Sequence, residues 1–333
     1  MKKFLRRIIA AMLLGVVLYG AFVAYSGYQS IRESLGQFRW SAFALALCLA
    51  SGNYGLRFLK WEYYLARLDI RGVRKVDSLL IFLSGFVLTV TPGKVGEVFK
   101  SAVLAETHGV PAARTAPIVV AERLTDVIGV ITLIVIGSAG FSGGLSWALA
   151  GSTCVVVGLV LILWRRPADW AFAVMDRRGG RLARIASRGR EAFDSLRIVA
   201  SPTALLWPSV LSILGWGAEG FALLLILRGF DVGVEAALTV FFYATATLAG
   251  AIVPVPGGLG VAEAMIQEQL VRLGGVPQAP ATSAMILIRF ATLWWAVIVG
   301  FAALGMLRTR YPNLMREGTD EVIHPPPTAS NDD

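Results

Sequence analysis

Charge is what this chain has least of. Asp, Glu, Lys and Arg make up only 16% of its 333 residues, and 56% are hydrophobic. Soluble domains carry more charge and no long apolar runs, so a soluble globular fold is excluded. Cysteine is nearly absent. Cys48 and Cys154 both lie in apolar segments and form no disulfide or metal framework. The two histidines, His108 and His324, fall in a loop and in the tail. No metal-ligand cluster, Asp-x-Asp pair or nucleotide-binding motif is visible. No metal, no cofactor and no catalytic residue is therefore expected, and the chain reads as a non-enzyme.

What the sequence does have is apolar length. Mean hydropathy is +0.66. Spans are expected at about 40–60, 78–90, 115–139, 144–164, 205–228, 236–253 and 281–307. A first anchor is expected from Ile8 to about Tyr25, with no small-x-small cleavage site behind it. Several of these approach the roughly 20 residues that cross a bilayer. The fold class is an all-α polytopic membrane protein. The integral domain is expected over 1–310, followed by a polar, disordered tail over 311–333.

The net charge of +9 does not point to nucleic acid. The basic residues cluster in loops, where the positive-inside rule and anionic lipid explain them. Lys60, Arg67, Arg71, Arg74 and Lys75 mark one cytoplasmic loop. The segment 165–204 marks another, with nine arginines against four acids between Arg165 and Arg197. That loop reads as an amphipathic segment on anionic lipid. Both termini are placed in the cytoplasm of a bacterium, with the protein in its inner membrane. The uncharged turn at 140–144 and the loop at 229–235 go outside.

These placements force a conclusion about the segments between them. Residues 78–106 must enter and return on the cytoplasmic side, and 236–271 from the outside. Each is a re-entrant or broken helical hairpin, completed by a segment (95–106 or 259–271) too short to cross. The two hairpins are alike. Pro92, Gly93 and Gly96 match Pro256, Gly257 and Gly260 at an offset of 164. Asp69 matches Asp231 at 162, and Arg123 matches Arg289 at 166. Similar order in opposite topology is the mark of an inverted-topology repeat, here with halves over 40–139 and 205–307.

The hairpins also carry the candidate chemistry. Thr91 suits an N-cap and Pro92 the first helical position. A helix starting there aims free N–H groups at the hairpin tip, a ready anion site, and Lys94 adds a full positive charge. Pro256 is expected at a second helix start, with Gly257, Gly258 and Gly260 allowing close backbone approach. In the next span Glu122, Arg123 and Asp126 share a helix face. Intramembrane charges face the bundle interior and pair. From Lys94 to Asp126 the balance is four basic against four acidic residues, with Glu97 among the latter. Glu219, Glu263, Gln267 and Arg289 are the counterparts in the second half. Asn53 and Arg57 either complete the cavity or, for Arg57, snorkel to the cytoplasmic face.

The stretches "TPGKVGEVFK", "ERLTD" and "VPVPGGLGVAEA" resemble the signature motifs of the flippase-like membrane domain of lysylphosphatidylglycerol synthases. The likeness spans about residues 5–310. It places Pro92, Gly93, Lys94, Gly96, Glu97, Glu122, Arg123, Asp126, Pro256, Gly257, Gly258, Gly260 and Glu263 at signature positions. In bifunctional members of that family the domain moves aminoacylated phosphatidylglycerol between leaflets, and a separate soluble domain makes it. Other members are stand-alone, some near glycosyltransferase or hopanoid-synthesis functions. The resemblance implies a lipid translocase that binds an anionic or zwitterionic headgroup: a phospholipid, a polyprenyl-phosphate-linked sugar or a hopanoid-type lipid. Two other classes stay open, a membrane-embedded transferase and an accessory subunit of a lipid or lipid-linked glycan synthesis enzyme. The sequence does not fix the oligomeric state.

Overall fold

The structure, a computed structural model, describes residues 28–90, 97–138, 180–253, 255–312 and 314, with isolated positions at 17, 20, 24, 149 and 153. The expected tip residues Thr91, Pro92, Gly93, Lys94 and Gly96 lie outside these. So do most of the Ile8–Tyr25 anchor, nearly all of the 144–164 span and most of the tail.

The described chain forms helices α1 (Tyr28–Gly36), α2 (Trp40–Arg67), α3 (Lys75–Ser84), α4 (Phe99–His108), α5 (Ala112–Gly137) and α6 (Gly180–Val199). These are followed by α7 (Pro202–Gly229), α8 (Ala236–Ile252), α9 (Val261–Arg272), α10 (Gln278–Arg289) and α11 (Trp295–Arg310). A π-turn over Phe290–Trp294 joins α10 and α11 into one continuous rod, Gln278–Arg310. Among the described residues, this rod, α2 and α7 are long and apolar enough to cross a membrane. At 1.5 Å per residue, the 28 residues of α2 or α7 span about 42 Å. The protein is an all-α, multi-pass membrane protein.

α2 and α7 pack along each other. They approach closely where Gly215 leaves room for Asn53; a Cβ on Gly215 would strike the Asn53 amide. The two helices have equal length and end alike. Asp69 (φ 53) and Asp231 (φ 57) are the non-glycine residues with left-handed backbone among the described residues. In each turn an amide reaches back five residues, Ile70 N–H to Leu65 O at 2.9 Å and Val232 N–H to Leu227 O at 3.0 Å. All these pairs are 162 positions apart.

The two expected hairpins are built from short pieces. α3 runs into a 3-10 turn, Gly85–Leu88, and α4 follows from Phe99. α8 leads to a 3-10 turn, Pro256–Gly258, and then α9. Pro256 does not open the helix itself. Gly257, Gly258 and Gly260 take φ of 62°, 69° and 85°, which an α-helix cannot include, so α9 begins only at Val261. Both hairpins are then left by the same device. Gly109 and Gly275 turn left-handed, Val follows, and Pro111 or Pro277 precedes the next helix.

Two apolar cores form, and each draws on both halves: Ala303 and Leu307 enter the first, Val130 and Ile134 the second. The first holds Trp61, Phe82, Leu104 and Ile118, the second Leu223, Phe242, Leu270 and Ile288. A small third core joins them at the hairpin ends, where Val90 meets Leu259, Leu293 and Val297. The expected basic loop contains helix α6, which packs on α5.

Candidate functional site

A cavity of about 180 Å³ lies where α2, α5, α7, α8 and the α10–α11 rod meet beside the Pro256 turn. Its wall is apolar at Val127, Val130, Leu248, Val253, Leu293 and Ala296, and aromatic at Tyr54, Trp216 and Tyr243. Into this wall project Arg57, Arg123, Asp126, Glu219 and Arg289. Each intramembrane charge costs about 2.5–3.5 kcal/mol to insert on translocon scales, so unpaired charges here would be expensive.

The pairing is continuous on one side. Arg57 Nη2 lies 3.4 Å from Glu97 Oε1, and Glu97 Oε2 lies 2.9 Å from Arg123 Nη2. Arg123 Nη2 lies 3.1 Å from Asp126 Oδ2, and Asp126 Oδ1 lies 2.7 Å from Lys60 Nζ. The charges alternate along this chain, with three cations around two carboxylates. Ser212 closes its far end, donating to Asp126 Oδ1 at 3.0 Å and accepting from Lys60 at 2.7 Å. Arg123 is close to two carboxylates, yet its buried Nε and Nη2 make no aligned hydrogen bond. Charge attraction holds it there while N–H donors remain unused.

A second pair stands apart from the cavity. Lys100 Nζ donates to Glu122 Oε2 at 2.6 Å and sits over the rings of Trp61 and Phe82 at 4.7 and 5.2 Å. The aromatic faces add cation–π attraction to a buried ammonium.

Across the cavity, Arg289 Nε donates to Glu263 Oε1 at 2.6 Å and Nη2 to the Gly257 carbonyl at 2.9 Å. Glu263 Oε2 in turn accepts the Gly260 N–H at 2.7 Å. The N-terminus of α9 thus already faces a carboxylate of its own chain. Glu97 and Arg123 are 26 positions apart, as are Glu263 and Arg289, and both members shift by 166 between halves.

Glu219 is held differently. Asn53 Nδ2 donates to Oε1 at 2.6 Å and the Tyr243 hydroxyl to Oε2 at 2.5 Å. Nearby, the Tyr54 hydroxyl donates to the Thr292 carbonyl at 3.1 Å, within the π-turn. π-turns are rare and concentrate at functional sites.

Of the residues expected from sequence, Arg123, Asp126, Gly257, Gly258 and Arg289 line the cavity. Glu97 and Glu263 back its arginines. Pro256 and Gly260 shape the turn, and Glu122 pairs with Lys100 behind it. Arg57 lines the cavity and is not snorkelling. Gln267 bonds Thr282 instead.

One assignment is corrected. Lys60 is not a loop cation: α2 continues to Arg67, and Lys60 is 1% exposed and ion-paired to Asp126. An apolar stretch ending in Lys reads as a span meeting the membrane surface, so sequence ended the helix about two turns too early. Tyr54, Trp216 and Tyr243 were not singled out either, because aromatics inside apolar spans read as lipid-facing or core residues.

A family model described as the lysylphosphatidylglycerol synthase TM region matches residues 9–300. A curated relative, a UPF0104 membrane protein of Methanocaldococcus jannaschii, is 23% identical over 221 residues. That match covers 65% of this chain and 91% of the relative.

Proposed function

Because the chain belongs to the lysylphosphatidylglycerol synthase TM-region family, we propose that it binds the anionic group of a lipid headgroup in the central cavity and carries that lipid between leaflets of a bacterial inner membrane. One observation carries this reading, the chain Arg57–Glu97–Arg123–Asp126–Lys60. Three cations share two carboxylates there. The middle one, Arg123, has N–H donors that a phosphate or phosphodiester would satisfy. Leu248, Val253 and Leu293 offer an apolar exit for the acyl chains.

The reading takes the two halves as inverted repeats with the site between them. The matched Asp69 and Asp231 turns and the common offset of the two Glu–Arg pairs support it. The hairpins are then re-entrant; Lys94, expected at the tip of the first, lies outside the described residues. Substrate phosphodiester would exchange with Glu97 and Asp126 for Arg123, so binding itself loosens the contact of α4 with α5.

Reconstitution tests it. Proteoliposomes holding labelled phosphatidylglycerol should expose inner-leaflet label to an outside quencher faster than protein-free vesicles. Arg123→Gln removes charge-assisted bonds of about 1.5–3 kcal/mol, which lowers the rate about tenfold or more. A folded, inserted Arg123→Gln variant that moves lipid at the wild-type rate would sink the proposal. If the wild-type protein moves no lipid but a lipid-synthesis enzyme loses activity without it, the accessory-subunit reading replaces this one.

A further inference from the structure

We propose that the second hairpin is the gate of the cavity, the end of its entering arm α8 swinging across the mouth, while the entering arm of the first hairpin, α3 and its 3-10 turn, is a fixed wall. A lipid then enters and leaves the site on the second hairpin's side. The inference rests on the headgroup reading for what passes the gate, not for the gate itself.

The long helices line the cavity evenly. Tyr54 and Trp216, 162 positions apart, both face it, as do Arg123 with Arg289 and Val130 with Ala296, each pair 166 apart. α2 and α7 meet where Asn53 lies against its counterpart Gly215. Taken as repeats, the two halves share the cavity about an axis through that contact.

The entering arms break this balance. At the hairpin offset of 164, Leu248, Gly250 and Ala251 line the cavity, while their counterparts Ser84, Phe86 and Val87 do not. Leu88 and Thr89 are each 8% exposed, whereas their counterparts Ile252 and Val253 are 66% and 38% exposed. Val253 also borders the cavity, so this exposed edge is part of its rim.

The cause lies in the helices behind the arms. The first arm is held at both ends. At its start, Asp77 Oδ1 accepts a bond from Arg310 Nη1 at 2.6 Å. At its far end the backbone of Phe86 and Val87 lies directly on Gly300, and the Phe86 ring packs on Tyr54 at 4.9 Å. The position in α5 equivalent to Gly300 is Ile134, a buried side chain of the second core. Backbone cannot come as close to a helix over Ile as over Gly, so the end of α8 has no matching seat. α8 is anchored at its start instead, where Phe241 lies on Gly137. Its end meets the hairpin turn glycine on glycine: a Cβ on Gly258 would stand 3.1 Å from the Gly250 Cα. Such a contact has no interlocking ridges and grooves, so it slides more readily than a packed one.

The gate is also tied to the site. Arg289 Nη2 donates to the Gly257 carbonyl in the hairpin turn at 2.9 Å. An anion held in the cavity competes for that guanidinium, so occupancy bears directly on the turn.

Spin-label distances test this in the full chain carrying Cys48→Ser and Cys154→Ser, in maltoside micelles. The reference label is at Leu206→Cys, exposed on α7. The second label is at Ile252→Cys on the gate or at Leu83→Cys, half-buried at the end of α3. Without ligand, the Ile252 pair should give the broader distance distribution. Saturating dihexanoylphosphatidylglycerol should shift its main peak by about 5 Å, the one-turn step by which packed elements rearrange, and leave the Leu83 pair in place. Equal widths without ligand, or a Leu83 shift as large as that of Ile252, overturns the proposal. So does a bound lipid that moves neither pair. Calorimetry on the same proteins reports binding separately. If no lipid binds, the headgroup reading falls, and the ligand-free widths still decide the gate.

Discussion

Replacing Lys60 by Met should destabilise the protein by about 3 kcal/mol. The ammonium lies 2.7 Å from Asp126 Oδ1, and the two side chains are 1% and 7% exposed. At an effective dielectric of about 20, their attraction is about 6 kcal/mol. Part of this is offset by the desolvation of the ammonium, which the variant no longer has to bear. Removing one member of a buried pair costs about 3–5 kcal/mol, because the other charge is stranded. Asp126 is not wholly stranded here, since Ser212 donates to it at 3.0 Å and Arg123 remains at 3.1 Å. The lower end of the range therefore applies. Asp126→Asn should cost a similar amount, and the double variant less than the sum of the singles by about 2 kcal/mol. Unfolding in maltoside–dodecyl sulfate mixtures, followed by tryptophan fluorescence, measures all of these. Lys75→Met is the control. Its ammonium is 79% exposed beside Glu62, and the change should stay within about 0.5 kcal/mol. If Lys60→Met and Asp126→Asn each cost less than about 1 kcal/mol and add simply, the pair is not buried as described and the alternating charge chain falls with it.

Two further outcomes test the frame around the site. A Cβ at Gly300 would sit 2.6 Å from the Val87 nitrogen and 3.0 Å from the Phe86 carbonyl carbon, both backbone, so Gly300→Val should overpack α11 against the first hairpin and cost about 1–3 kcal/mol in the same unfolding assay. Asp69→Val and Asp231→Val each force a β-branched residue into left-handed backbone, and each should cost about 1–3 kcal/mol, while Asn at either position stays within about 0.5 kcal/mol; a large cost at one site alone would argue against equivalent turns.

Much of this was readable in advance. The long helices follow from apolar length, and α2, α5, α7, α8 and the final rod lie where hydropathy puts them. The likeness of the halves was visible in Pro256, Asp231 and Arg289. A further trace went unread: the string Gly-Val-Pro at 109–111 recurs at 275–277, with the same 166 offset as the two Glu–Arg pairs. Polar partners were harder. Asn53 and Lys60 lie seven residues apart on α2 and Ser212 on α7, and nothing local says that they meet Glu219 and Asp126 on other helices, because helix crossing decides it. The start of α9 was misplaced for a local reason. Proline marks a first helical residue only if its successors can be right-handed, and the left-handed glycines after Pro256 delay the helix to Val261.

The π-turn has a consequence for the register of the last rod. It contains an extra residue, which rotates everything beyond it by about 100° relative to a continuous α-helix. The Tyr54 hydroxyl grips the Thr292 carbonyl inside that turn, and Arg289 lies immediately before it. If the extra residue migrated by a few positions towards the N-terminus, Arg289 would be carried off the cavity wall while α11 stayed seated on the first hairpin. Tyr54 is thus a pawl on a helical ratchet, holding one arginine in view of the cavity through a single bond to the backbone.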